Sequence, residues 1–190
     1  YIDVTNGVPS SVITTPQTMV SCAQGYNSGL HVTGTGKIYQ YGWGHQTWHA
    51  YPTQMTDYGY RDVDPYPDFE RQLTVPVQIC RCSGAHHQRS WFFIAADGYL
   101  LSYGFNKNGQ LGRDPTEMVN WPQWGYDFVP KKTPIYDVVD VIADAASTYF
   151  IKSDNTLWMV GAMNSAYNPG TPGHVPTQID TDVSYAASTG

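Results

Sequence analysis

The chain is organised around the stretch Ser90-Trp91-Phe92-Phe93-Ile94-Ala95-Ala96-Asp97-Gly98-Tyr99-Leu100-Leu101-Ser102-Tyr103-Gly104. An apolar segment, 91–95, is followed by an Asp-Gly pair and a second apolar segment, 99–103. Asp-Gly is a strong hairpin signal, because glycine adopts the positive φ of a tight turn without steric cost. The stretch therefore predicts a β-hairpin whose second strand ends at Gly104.

The same pattern occurs twice more, at 30–42 and at 149–161. The turn residues are Gly36, Gly98 and Asn155, and a strand-ending glycine follows each of them by six positions, at Gly42, Gly104 and Gly161. Copies separated by roughly 60 residues are typical of propeller blades or repeat arrays.

A third strand is predicted before each hairpin, at 19–24, 79–84 and 138–143. A proline precedes each of them, at Pro16, Pro76 and Pro130 or Pro134, and Pro176 precedes a similar segment at 182–187. This alignment places Cys22 and Cys82 at the position of Val141, and Cys80 at the position of Val139. The three cysteines are accordingly expected to be small buried apolar residues, although a Cys22–Cys82 link is conceivable.

The segment after the central hairpin is Phe105-Asn106-Lys107-Asn108-Gly109-Gln110-Leu111-Gly112. It closely resembles the terminal signature, W-G-x-N-x-x-G-Q-L-G, of the RCC1-like repeat family (regulator of chromosome condensation). The copy at 19–44 keeps Tyr41-Gly42-Trp43-Gly44 but loses the N-x-x-G-Q-L-G end, and the copy at 138–170 has Val160-Gly161-Ala162-Met163-Asn164 and a degraded tail. The histidine that the family places before its serine is missing in all three copies. The resemblance implies a β-propeller.

We therefore expect an all-β fold: an RCC1-like β-propeller segment of about three blades with partial flanking strands. The predicted units are a lead-in or partial preceding blade (1–18), blade one with a long aromatic loop (19–76), blade two (77–137), blade three (138–181) and the start of the next blade (182–190). The sequence opens without methionine and closes inside a repeat, which suggests a piece of something longer. The open blade edge should be covered by the remainder of a propeller or by other subunits.

Charge and composition argue against two classes of partner, nucleic acids and membranes. The formal net charge of −6 argues against nucleic acid, which is bound largely through Lys and Arg. No apolar run approaches the roughly 18 residues of a membrane span, so no membrane insertion is expected. No long window has the apolar period of a helix. Only two of the sixteen acidic residues are glutamates, which favours an extracellular or virion protein.

Two aromatic segments are the candidate binding sites. Tyr and Trp give large rigid contact areas with a polar tip and dominate binding hot spots. Aromatic faces near Asp and Asn also suit sugar rings. The alternative is that these side chains pack on their own blade or against adjacent subunits. The candidate residues are Trp48, His49, Tyr51, Tyr58, Tyr60, Trp121, Trp124 and Tyr126.

Sites of catalysis and cofactor binding are not indicated. His45 and His49 lack a fixed third ligand for zinc, and Asp62, Asp64 and Asp68 lack the glycine and glutamate of a calcium loop. The segment 34–37, Gly-Thr-Gly-Lys, is not a phosphate-binding loop, because that motif needs a Ser or Thr and a helix after the lysine, and here an isoleucine and a strand follow it. Its glycines belong to the hairpin turn. No nucleophile motif is present. We expect no enzyme, no cofactor and no metal.

The favoured interpretation is a non-enzymatic interaction module that binds a protein or glycan, as a structural or receptor-binding component of a virion, such as a phage tail or decoration protein, or of a cell-surface appendage. The alternative is a regulatory RCC1-like propeller, of the guanine nucleotide exchange or enzyme-inhibitor type, that acts through protein–protein binding.

Overall fold

The computed structural model describes residues 19–24, 28–36, 38–43, 48–54, 77–83, 90–117, 125–144, 146–167 and 169–187. Their strands form three separate four-stranded antiparallel sheets, each ordered as its strands follow in the chain. We call the sheets blades one, two and three. The all-β fold and the separation of the three hairpins into three sheets are as expected from the sequence.

Blade one contains β1 (Met19–Gln24), β2 (Ser28–Thr33), β3 (Ile38–Trp43) and β4 (Trp48–Gln54). Blade two contains β5 (Val77–Ser83), β6 (Ser90–Ala95), β7 (Leu100–Phe105) and β8 (Tyr126–Lys132). Blade three contains β9 (Val138–Ala143), β10 (Ser147–Lys152), β11 (Leu157–Gly161) and β12 (Thr177–Asp180). The strands of each blade fall inside one predicted unit, and the unit boundaries themselves stay predictions.

The three hairpin turns share one geometry. The N–H of Gly98 donates to the carbonyl of Ala95 at 2.9 Å, and Gly98 has a φ of 80°. This is the three-residue hairpin in which a type I turn is followed by a left-handed residue. Gly36 and Asn155 make the same bond and have φ values of 80° and 62°. Asparagine replaces glycine in blade three because its short polar side chain tolerates this conformation.

The register corrects the sequence alignment of the inner strands. Cys22 pairs with His31, Cys80 with Phe93 and Val141 with Phe150, so Cys80 rather than Cys82 is equivalent to Val141. The prediction was displaced by two residues because blade two has extra residues between its inner strands. Cys80 is buried as expected, but Cys22 is exposed, contrary to the prediction. The side chain of Cys82 lies outside the described part of the structure.

Two apolar clusters hold the blades together, and β6 supplies side chains to both. Leu30, Val32 and Ile38 of blade one pack in one cluster with alternate residues of β6, Trp91, Phe93 and Ala95. The other alternate residues, Phe92 and Ile94, pack with Leu100, Val141 and Phe150 in the second cluster. Alternation along a strand sends successive side chains to opposite faces. Trp91, Phe93, Ala95, Leu100 and Val141 are all buried in this way.

The segment 106–113 closes blade two with buried polar contacts. The Oδ1 of Asn106 accepts the N–H of Leu111 at 2.9 Å, and its Nδ2 donates to the carbonyl of Arg113 at 2.9 Å. The hydroxyl of Ser102 donates to the carbonyl of Leu111 at 2.8 Å. Leu111 is thereby held in the cluster between blades two and three, where it is fully buried.

An ion pair supports this segment from behind. The Arg113 guanidinium donates to the carboxylate of Asp127 at 2.6 Å, and Asp127 is fully buried. Lys131 lies 3.5 Å from the same carboxylate. The contacts connect the segment to β8, so the outer strand and the terminal signature are positioned together.

Blade three departs from the expected loop after its third strand. A short helix, α1 (Ala162–Tyr167), follows β11 directly. Asn164 is buried, and its Nδ2 donates to the carbonyl of Val175 at 2.6 Å, but no group in the described part of the chain hydrogen-bonds to its Oδ1. Six residues are too short for the helical period to be recognised in the sequence. Residues 181–187, predicted to begin a next blade, contain no strand.

Candidate binding surface

The linker between blades two and three, 133–137, lies across the ends of the strands at their tight turns. We call this the turn end of the blades, and we call the opposite end, where β3, β7 and β11 finish, the tail end. The N–H of Leu100 donates to the carbonyl of Ile135 at 3.2 Å, and the N–H of Val138 donates to that of Gly98 at 3.0 Å. The buried Ile135 anchors the linker in the cluster below. The neighbouring Tyr136 is therefore held outward at a fixed position.

A row of aromatic rings and lysines crosses this boundary. Tyr99 and Tyr136 have ring centroids 6.4 Å apart and are 39% and 52% exposed. The Lys132 ammonium lies 4.2 Å from the Tyr99 centroid, and that of Lys152 lies 4.5 Å from the Tyr136 centroid. Lys152 also lies 5.3 Å from the ring of Trp158. We call these five residues the aromatic–lysine row.

The row is stiff, because its members come from strands, from a tight hairpin turn and from a linker that is hydrogen-bonded at both ends. Lys132 pairs in register with Leu101, whose side chain is fully buried. Trp158 stacks on buried Phe150, with centroids 6.5 Å apart. Exposed aromatic rings held in place in this way lose little conformational freedom on binding, which is the property of a hot spot.

Aspartates surround the row at the turns. Asp97 approaches Lys132 at 4.0 Å, and its Oδ1 accepts the N–H of Tyr99 at 3.3 Å. Asp154 accepts from both the hydroxyl and the N–H of Thr156, and these hydrogen bonds hold the pKa of its carboxyl below the ordinary value. Asp154 is therefore charged at neutral pH.

The structure locates four of the eight predicted site residues. Trp48, His49 and Tyr51 lie on β4, and Trp48 pairs in register with Trp43. Tyr126 begins β8 at the equivalent register position, where its ring meets Phe105 edge-on at 5.3 Å. Trp48 and Tyr126 thus occupy matching positions at the tail end of neighbouring blades. Tyr58, Tyr60, Trp121 and Trp124 lie outside the described residues.

Sequence reasoning missed the aromatic–lysine row. Its members are separated by up to 59 positions along the chain, and no local motif joins them. One signal was available in the sequence. Tyr99 directly follows a hairpin turn, and Tyr136 lies two residues before an inner strand. An exposed aromatic residue has no packing reason to occur at either position. Recognising their proximity required the register of both blades.

The described part of the chain contains neither a metal-binding cluster nor a helix that could span a membrane. No cluster of three or more His, Cys, Asp or Glu could hold a metal ion there. No helix among those residues has the length and apolar character needed to span a bilayer.

Comparisons with known proteins give structural likeness only. No family model matches the chain, and no curated protein matches it. Human WBSCR16 has a TM-score of 0.60 and 16% identity, with 89% of this chain and 39% of that one covered. Yeast RCC1 (Prp20), solved with Kap60 bound to it, has a TM-score of 0.58 and 18% identity, with 89% and 39% covered.

A further structure, of Prp20p from Saccharomyces cerevisiae, has a TM-score of 0.58 and 18% identity, with 88% and 40% covered. The chain spans about two fifths of the length of these neighbours. The likeness extends over 88–89% of this chain, which carries the three sheets and the signature at 105–112. The chain therefore has the RCC1-like β-propeller fold.

Proposed function

We propose that the chain is a protein-interaction module and that the aromatic–lysine row is its docking surface. The observation that carries the proposal is the pair of exposed rings, Tyr99 and Tyr136, at 6.4 Å across a blade boundary. Each ring already has an ammonium group against it. Rings of this kind combine a large apolar face with a polar tip, which suits a protein partner better than a small apolar ligand.

The comparisons support a protein partner. Yeast RCC1 was solved bound to Kap60, and the structure of Prp20p was presented with its binding properties to Gsp1p and histones. These statements concern those proteins, and they favour the regulatory alternative over a virion role. A role in a virus particle, at a receptor or on a glycan rests on composition alone. The absence of an enzymatic activity also stays a prediction.

Two of the residues predicted from sequence define a second proposed surface, at the tail end. Trp48 and Tyr126 mark it on two neighbouring blades. It lies roughly 15–20 Å from the row, the length of a six-residue strand. Because the two surfaces are at opposite ends, substitutions in one leave the other intact.

The test is affinity capture with matched variants. The chain is immobilised and exposed to a lysate of its source organism, and retained proteins are identified by mass spectrometry. The turn-end variant carries Tyr99→Ala and Tyr136→Ala, and the tail-end variant carries Trp48→Ala and Tyr126→Ala. We expect specific partners to be retained by the wild type and the tail-end variant and lost by the turn-end variant.

Retention of the same partners by the turn-end variant would refute the row as the docking surface. Loss only in the tail-end variant would assign the function to the second surface. The exchange-factor form of the alternative has its own assay. Stimulated nucleotide release from a small GTPase by the chain, lost in one of the two variants, would show a regulatory activity and locate it.

A further inference from the structure

A line of backbone hydrogen bonds joins four segments at the turn end. The N–H of Val138 donates to the carbonyl of Gly98 at 3.0 Å, and the N–H of Ser153 donates to that of Asp137 at 2.8 Å. The N–H of Val183 donates to the carbonyl of Asn155 at 2.8 Å. The line runs from the turn of blade two, through the linker and the turn of blade three, to the segment after β12.

Each of these segments carries an aspartate next to the bond. We call the four the acidic strip: Asp97, Asp137, Asp154 and Asp182. All four lie at the surface. Asp137 and Asp182 have φ values of 60° and 59°, a left-handed conformation that Asp tolerates better than most residues. The four aspartates therefore lie within the turns and the linker, and the backbone hydrogen bonds that fix those segments also fix the strip.

The strip gives the docking surface a negative balance. The four carboxylates of the strip outnumber the two ammonium groups of the row, those of Lys132 and Lys152, so these six side chains carry a net charge of −2. The whole chain carries −6. Opposite charge on a partner increases the association rate and disfavours acidic partners.

The rings beside the strip are suited to cations. The two tyrosines hold lysine ammonium groups at 4.2 and 4.5 Å from their centroids. Exposed cation–π contacts contribute only about 0.5–1 kcal/mol each, so an incoming cation can displace them. Arginine fits best, because its planar guanidinium stacks on a ring and donates two parallel hydrogen bonds to a carboxylate.

We propose that the aromatic–lysine row and the acidic strip together bind an arginine-rich segment of a partner protein. This inference rests on the proposed function and adds the chemistry of the partner. Guanidinium groups stack on Tyr99 and Tyr136, and neighbouring arginines pair with the four aspartates. An acidic or uncharged segment gains neither contact.

The test uses a fluorescent peptide of alternating arginine and glycine, titrated with the full chain and followed by anisotropy. A citrulline–glycine peptide has nearly the same shape without the charge, and a lysine–glycine peptide keeps the charge without the planar fork. We expect the arginine peptide to bind more tightly than the lysine peptide and the citrulline peptide not to bind. Affinity should fall as salt is added, because the exposed charges are screened.

The matched variant replaces all four strip residues: Asp97→Asn, Asp137→Asn, Asp154→Asn and Asp182→Asn. Asparagine keeps an oxygen for the turn hydrogen bonds and also tolerates positive φ, so the fold is retained. An exposed charge pair contributes a factor of about two in affinity, so four substitutions should weaken binding roughly sixteenfold.

The control removes two acidic groups beyond the tail end, with Asp114→Asn and Glu117→Gln. Asp114 caps its own turn through the N–H of Thr116 at 2.8 Å, just as Asp154 does at the turn end. The control should bind the arginine peptide as the wild type does. Equal binding of the citrulline peptide, or equal losses in the strip variant and the control, would overturn the inference.

The outcomes separate this inference from the proposed function. If the arginine peptide does not bind while partner capture still depends on Tyr99 and Tyr136, the docking surface stands and its arginine specificity is wrong. If partner capture is indifferent to these two rings, the docking surface itself is wrong.

Discussion

Asn106 should contribute far more to stability than Asn164, although both closely follow a strand-ending glycine and both are buried. Asn106 satisfies the N–H of Leu111 and the carbonyl of Arg113, each at 2.9 Å. Asn106→Ala leaves both backbone groups without a partner, and an unsatisfied buried group costs about 1–3 kcal/mol. We expect a loss of about 3 kcal/mol in the free energy of unfolding.

Asn164→Ala removes much less. Its Oδ1 has no hydrogen-bond partner among the described residues, and its Nδ2 donates at 2.6 Å to the carbonyl of Val175, a residue that is 40% exposed. Water can replace that donor, so we expect a loss of about 1 kcal/mol. The measurement is urea unfolding followed by both tryptophan fluorescence and circular dichroism. Equal losses in the two variants would refute the reasoning that hydrogen bonding, rather than burial alone, sets the cost.

Three further predictions concern buried contacts. Asp127→Asn removes the charge that balances the largely buried Arg113, and it should cost about 3–5 kcal/mol in chemical unfolding; a change below about 1 kcal/mol would contradict this. Gly109→Ala should lower the melting temperature clearly more than Gly170→Ala, because both have positive φ but a Cβ at Gly109 meets backbone, whereas a Cβ at Gly170 meets no described atom within 4 Å. Burial raises the pKa of the Cys80 thiol from 9.0 to about 11, so its neutral form stabilises the fold below pH 9 and that contribution is lost as the pH rises towards 11. The fall in unfolding free energy across this range should be shallower in Cys80→Ala, and an unchanged slope would contradict the assignment.

The hairpins could be predicted because their information is local. A residue that accepts positive φ, at Gly36, Gly98 and Asn155, with apolar segments on both sides, specifies a turn and two strands without reference to the rest of the chain. The signature at 105–112 is local in the same sense. Its asparagine and the N–H of Leu111 are only five residues apart.

The inner strands show where local information ends. Strand pairing has a period of two, so a displacement by two residues leaves the same side chains on the same face and violates no apolar pattern. The sequence therefore could not distinguish Cys80 from Cys82 as the partner of Phe93. The exposure of Cys22 could not be predicted either. Whether a strand residue is buried depends on which distant segment covers its face of the sheet, and the local sequence does not say this.

The amino-acid sequence by itself determined three repeated hairpins, their turns and the alternation that makes β6 apolar on both faces. The tertiary structure decided which surface those hairpins create. Tyr99, Tyr136 and Lys152 come from a turn, a linker and a strand end, and only the stacking of blade three on blade two brings them together. The physical reason is the range of the interactions. Turns and strands depend on neighbours within a few residues, whereas a surface depends on the packing of segments distant in the chain.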